Sequence, residues 1–145
     1  ILPAFGIAVK DLSKDDLESL ERLRIENIVE YYFTSITWVE IIPKVLREYI
    51  VKGISIDESI FEKVALALEN SAKHIDPGPR AITIASKLRV LGHRDMIDNI
   101  LYGIAYENNL QFLTMDEEFK EFIHKHGLNT TYIISHKELF KQLKK

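Results

Sequence analysis

The sequence contains no cysteine among its 145 residues. Disulfide bonds and thiolate metal sites are therefore excluded, and a reducing compartment is the simpler expectation. No apolar run approaches the length of about 20 residues that spans a membrane, and the first residues carry no basic-then-apolar signal. We therefore expect a cytoplasmic protein with no membrane partner.

Positive net charge is also absent, since the formal charge is −3, and this excludes a uniformly basic nucleic-acid binder. The charges are unevenly distributed. Residues 11–30 carry seven acids against three bases, whereas residues 73–94 carry five bases against one acid. Two interpretations are open: solvated helix faces of different sign, or a basic wall that holds a phosphate backbone beside an acidic pocket.

The chain shows no repeat, low-complexity tract or interdomain linker, so we expect residues 1–145 to form a single domain. Hydrophobic periodicity and turn residues predict helices alternating with strands. The predicted helices cover residues 12–27, 37–51, 56–71, 80–91, 95–107 and 116–126, with a short one after Ser135; the predicted strands cover 31–35, 111–115 and 130–134, after a truncated first strand ending at Ile1 and Leu2. This order predicts an α/β fold, a three-layer α/β/α sandwich with a central parallel sheet.

Several polar side chains follow the predicted strands directly or begin the helix between them. They are Ser35, Glu40, Asp95, Asp98, Thr114 and Asp116. Ligands of open parallel sheets bind beyond the carboxyl ends of the strands, so these side chains are expected at one edge. Converging carboxylates repel one another unless a hard dication joins them, and Mg²⁺ or Mn²⁺ suits such oxygen ligands.

Each acid also has a purely structural interpretation. Glu40 can pair with Lys44 one helical turn away, and both Asp95 and Asp116 are suitable helix N-caps. For Asp95 the cap is the favoured interpretation. Asp98 is harder to explain structurally, because its neighbours three, four and seven residues on are Leu, Tyr and Ala. A buried acid on an apolar face is a candidate for function.

Three short patterns in this order resemble the PIN-domain ribonucleases, a family that includes toxins of the VapC type. They are Thr34-Ser35-x-x-x-x-Glu40, Asp98-x-x-Ile-x-x-x-Ala105, and Leu113-Thr114-x-Asp116 before an acidic helix. The resemblance covers essentially the whole chain in element order. It implies a PIN-like fold and a metal-dependent endoribonuclease, in which water activated by Mg²⁺ or Mn²⁺ hydrolyses the RNA phosphodiester.

By the resemblance, Glu40, Asp98 and Asp116 are the catalytic and metal-binding residues, and Ser35 and Thr114 are supporting hydroxyls. Asp95 is added as a supporting residue at the start of the helix. The resemblance also implies a homodimer and, for a toxin, a small antitoxin partner. His93 and Arg94 precede the same helix and are either phosphate contacts or solvated loop residues.

The chain departs from the family at its beginning. The family's first acid lies on the first strand, a few residues before an apolar stretch like that of residues 1–3. We expect this acid either upstream of Ile1 or missing from the protein, and Asp11 comes too late to replace it. Two alternatives therefore stay open: a PIN-like module that binds RNA or protein without cutting, and an unrelated receiver-like signalling domain.

Overall fold

A computed structural model describes residues 2–144, which group into two compact units that divide after residue 75: residues 2–75 and residues 76–144. Each unit holds one pair of parallel strands, and each is described separately below. Among the described residues, no helix has the length and apolar character needed to cross a membrane. The organisation of residues 1–145 as a single domain stays a prediction.

The first unit consists of three helices around a short parallel strand pair. Its elements are a 3₁₀ helix Leu2–Phe5, α1 Lys14–Ile25, β1 Tyr32–Phe33, a 3₁₀ helix Ser35–Thr37, α2 Trp38–Val51, α3 Ser59–Ser71 and β2 Lys73–His74. In the pair of β1 and β2, Tyr32 lies opposite Lys73. The core is apolar, and the buried Tyr49 donates its hydroxyl to the carbonyl of Phe5 at 2.8 Å. Phe5 therefore anchors the start of the described chain to α2.

The second unit has four helices and the other strand pair. Its elements are α4 Pro79–Val90, α5 Met96–Asn108, β3 Phe112–Leu113, α6 Glu117–Lys125, a 3₁₀ helix Thr130–Tyr132, β4 Ile133–Ile134 and α7 His136–Leu143. Strands β3 and β4 are parallel, with Phe112 opposite Ile133. Their core is rich in aromatic rings and is built on the buried residues Leu88, Tyr102, Phe119, Ile123 and Ile133.

Helix positions agree with the sequence prediction because the start signals are local. Ser13 and Asp16 form a capping box at α1, and Ser135 accepts from the N–H of Glu138 at the start of α7. Every predicted helix is present, with ends that differ by at most three residues. The α/β class with parallel strands is confirmed, whereas the single central sheet of a three-layer sandwich stays a prediction.

The strands differ more from the prediction than the helices do. The strand predicted over residues 130–134 keeps two residues, because Asn129 accepts from the N–H of Thr131 and begins a 3₁₀ turn. The expected strand end at Leu2 is wrong, since Leu2 begins a 3₁₀ helix, and Ile1 lies outside the described residues. Strand β2 was missed because its two residues are exposed and polar, with no apolar alternation.

Candidate active site

Asp98 lies in the first turn of α5, beneath a cap made by Asp95. The Asp95 carboxylate accepts from the backbone N–H groups of Ile97 at 3.1 Å and Asp98 at 3.2 Å, which confirms the predicted cap. Asp98 itself is half-buried. A carboxylate at this position is favoured by the unpaired N–H groups and dipole of the helix N-terminus.

Asp116 is fixed at the start of α6, directly after β3. Its Oδ1 accepts from the N–H of Phe119 at 3.1 Å, so it is the helix cap, and its side chain is exposed. The hydroxyl of Thr114 accepts from the N–H of Asp116 at 3.1 Å. Thr114 therefore holds the backbone of Asp116 in place. The cap uses Oδ1, which is one of the two oxygens of the Asp116 carboxylate.

The helix starts that carry Asp98 and Asp116 are joined by His93 and Asn99. Asn99 is completely buried and its Oδ1 lies 2.7 Å from Nδ1 of His93. The His93 ring packs on α6, with its centroid 4.6 Å from that of Phe119. Sequence reasoning missed Asn99, although an amide within an apolar helix was the available signal.

In the first unit, Glu40 lies in the first turn of α2. Its Oε1 is 2.5 Å from Nζ of Lys44, so the surface pair considered from the sequence is present. Ser35 is exposed at the start of the 3₁₀ helix. The preceding residue, Thr34, is buried, and its hydroxyl has no hydrogen-bond partner among residues 2–144. Thr34 is part of the quoted pattern, but it was assigned no role from the sequence.

His93 and Arg94, which were considered from the sequence as contacts to a phosphate, both precede α5 in the second unit. Arg94 is exposed in the loop before α5, whereas His93 is half-buried in the contacts described above. Their role at a phosphate stays a prediction. Arg80 lies over the ring of Tyr106, 5.1 Å from its centroid, at the start of α4. The face of an aromatic ring attracts a cation in this position electrostatically.

The donor chemistry decides which metal these residues suit. Residues 2–144 contain no group of three or more His, Asp or Glu side chains arranged to hold a metal ion. Asp98 and Asp116 lie in one unit and offer hard carboxylate oxygens. Mg²⁺ is commonly bound by one or two carboxylates together with water and substrate phosphate, so this pair fits it. The full set that includes Glu40 stays a prediction.

Comparison with known proteins gives one match, and it covers most of the chain. The profile of the PIN domain matches residues 6–125. No curated protein and no solved structure matches the chain. The matched range includes Glu40, Asp98 and Asp116, and it sets aside the receiver-like alternative. The chain belongs to the PIN-domain family, whose members are generally nucleases.

Proposed function

We propose that this protein is a metal-dependent endoribonuclease that hydrolyses RNA phosphodiester bonds. The match of the PIN domain to residues 6–125 carries the proposal. The capped starts of α5 and α6 support it, because they hold Asp98 and Asp116 at two helix N-termini joined through one histidine. Preorganised carboxylates of this kind are what a divalent metal requires.

In this proposal each residue has a limited task. Asp98 and Asp116 would hold Mg²⁺ or Mn²⁺, while Thr114 fixes the backbone of Asp116 and Asp95 fixes the first turn of α5. A metal held there would supply a bound water of lowered pKa and positive charge opposite the phosphate. Glu40 is proposed as a further acid, and its Oε1 contacts Nζ of Lys44.

The deciding experiment is cleavage of single-stranded RNA by the protein in Mn²⁺ or Mg²⁺, with and without EDTA. Asp98→Asn is the test variant, because it keeps the size of the side chain and removes its charge. Glu118→Gln, an exposed acid in the first turn of α6, is the matched control. We expect EDTA and Asp98→Asn to abolish cleavage and Glu118→Gln to retain it. Cleavage that survives both treatments would contradict the proposal.

A second candidate is a PIN-like module that binds RNA or protein without cutting. The observation in its favour is the lack of a three-residue acidic group within residues 2–144. The same experiment separates the candidates. A non-cutting module binds RNA equally with and without EDTA, and Asp98→Asn leaves this binding unchanged.

The partners of the proposed enzyme are RNA, a second copy of the chain and, for a toxin, a small antitoxin. Exposed apolar residues on α2 support a protein-binding surface in the first unit: Val39, Ile42, Ile50 and Val51. Sedimentation of the protein and of Ile50→Asp tests the homodimer. A shift from dimer to monomer supports this surface, and a monomeric wild type contradicts the homodimer.

A further inference from the structure

Asn99 has a buried amide whose partners are His93, in the loop before α5, and Met96, the first residue of α5. Its Nδ2 donates to the carbonyl of His93 at 2.9 Å and contacts the Met96 sulfur at 3.5 Å. Its Oδ1 therefore accepts from Nδ1 of His93, which fixes the proton on that ring nitrogen. These contacts tie the loop to the first helical turn, in which Asn99 directly follows Asp98.

The His93 ring carries the same connection into α6. It packs against two aromatic rings of that helix, with its centroid 4.6 Å from that of Phe119 and 5.1 Å from that of Phe122. Phe119 donates its backbone N–H to Asp116. A short path of contacts thus runs from Asp98 through Asn99, His93 and Phe119 to Asp116.

We infer that His93 and Asn99 are positioning residues that set where Asp98 stands relative to Asp116. This inference rests on the proposed nuclease function and deepens it. An apolar side chain would fill the place of Asn99 without the cost of desolvating an amide. The amide, unlike an apolar side chain, makes directional hydrogen bonds, and these hold His93 in one orientation against α6.

The inference matters because two carboxylates that share a dication must be held at a fixed separation. Groups that orient metal ligands without touching the metal typically affect metal affinity about 10- to 100-fold. His93 does not need to contact RNA for this role. A change at His93 should therefore weaken metal binding even while the protein stays folded.

Two substitutions separate the two contacts of His93. His93→Phe keeps a ring for Phe119 and Phe122 but removes the N–H donor, and His93→Gln keeps a donor for Asn99 but removes the ring. His124→Ala, an exposed histidine of α6, is the matched control. Calorimetric titration with Mn²⁺ at a temperature where circular dichroism shows each variant folded is the first readout.

We expect both His93 variants to bind Mn²⁺ about tenfold more weakly than wild type, with His124→Ala unchanged. The Mn²⁺ concentration for half-maximal RNA cleavage should rise by the same factor, and excess Mn²⁺ should restore the rate. Wild-type affinity in His93→Phe and His93→Gln would overturn the inference.

A second readout needs no metal and keeps the two proposals distinguishable. Hydrogen exchange of the backbone N–H groups of Asp98 and Phe119 reports whether the starts of α5 and α6 stay in place. We expect faster exchange at both in the His93 variants and no change in His124→Ala. If wild type neither binds Mn²⁺ nor cleaves RNA, the proposed function fails. Unchanged exchange overturns the positioning inference whether or not the function holds.

Discussion

Tyr102 shows how one buried residue links the fold to pH. Its side chain is buried in the second unit, and its hydroxyl donates to the carbonyl of Asn129 at 2.7 Å. Burial raises the pKa of Tyr102 from 10.0 to about 12, because the phenolate would lose its hydration. Between these values the unfolded chain releases the phenolic proton while the folded chain keeps it. The free energy of unfolding therefore falls as the pH rises through this range.

We predict that Tyr102→Phe reduces this alkaline loss of stability. At pH 7 the variant should be less stable than wild type by about 1–3 kcal/mol, since the Asn129 carbonyl loses its buried donor. Between pH 10 and 12 the difference should shrink, because Phe has no proton to release. Urea unfolding at several pH values measures this, with the half-buried Tyr106→Phe as the control. Curves that stay parallel across the range would contradict it.

For single residues, the sequence predicted those side-chain roles that depend only on residues nearby in the chain. The caps Asp95 and Asp116 each bind N–H groups two or three residues away, so a local pattern identifies them. The contact of His93 with Phe119 joins positions 26 apart and depends on how α6 packs. No local pattern contains that information, and for this reason His93 was considered only as a phosphate contact or a loop residue.

At the scale of elements, α4 and α5 are fastened together at one end by a side chain. Both carboxylate oxygens of Glu107 accept backbone N–H groups at the start of α4, from Gly78 at 2.9 Å and Arg80 at 3.1 Å. Gly78 has no side chain to cap α4, so Glu107 performs the capping from the neighbouring helix. At Gly103 the helices are so close that an added Cβ would clash with the Ala81 carbonyl oxygen.

We predict that Glu107→Ala destabilises the protein by about 1–2 kcal/mol, the usual effect of losing an N-cap. The backbone N–H groups of Gly78 and Arg80 should exchange faster, because they lose their acceptor. Glu117→Ala, an exposed acid in the first turn of α6, is the control for loss of charge. Urea unfolding and hydrogen exchange measure both effects, and equal stability of the two variants would contradict the capping role.

Elements were predictable to the extent that their signals are local. The helices follow from apolar periodicity and N-caps, whereas the strands are only two residues long and leave little pattern to detect. Strand β2 exists because Lys73 and His74 pair with β1, across about 40 positions of the chain. The cap from Glu107 is likewise non-local, since it reaches back 29 residues to Gly78. Pairing at such separations is decided by packing, which one sequence does not display.

At the scale of the whole molecule, the net charge of the protein has the same sign as that of the proposed RNA substrate. The formal net charge is −3, so the protein as a whole does not attract RNA, and binding must come from local cations. Four exposed cations follow one another in the second unit, on α4 and in the loop after it: Arg80, Lys87, Arg89 and Arg94. These cations are the nearest in sequence to the start of α5, which carries Asp98.

We predict that RNA binding depends steeply on salt and that these cations cause the dependence. Each contact to single-stranded phosphate contributes about 0.7 to the slope of log affinity against log salt concentration. Lys87→Gln with Arg89→Gln should therefore weaken binding at low salt and lower the slope by about 1.4 if both contact phosphate. Fluorescence anisotropy in EDTA measures binding without cleavage. Lys137→Gln, an exposed cation of α7, should keep the wild-type slope, and an unchanged slope in the double variant would place the RNA elsewhere.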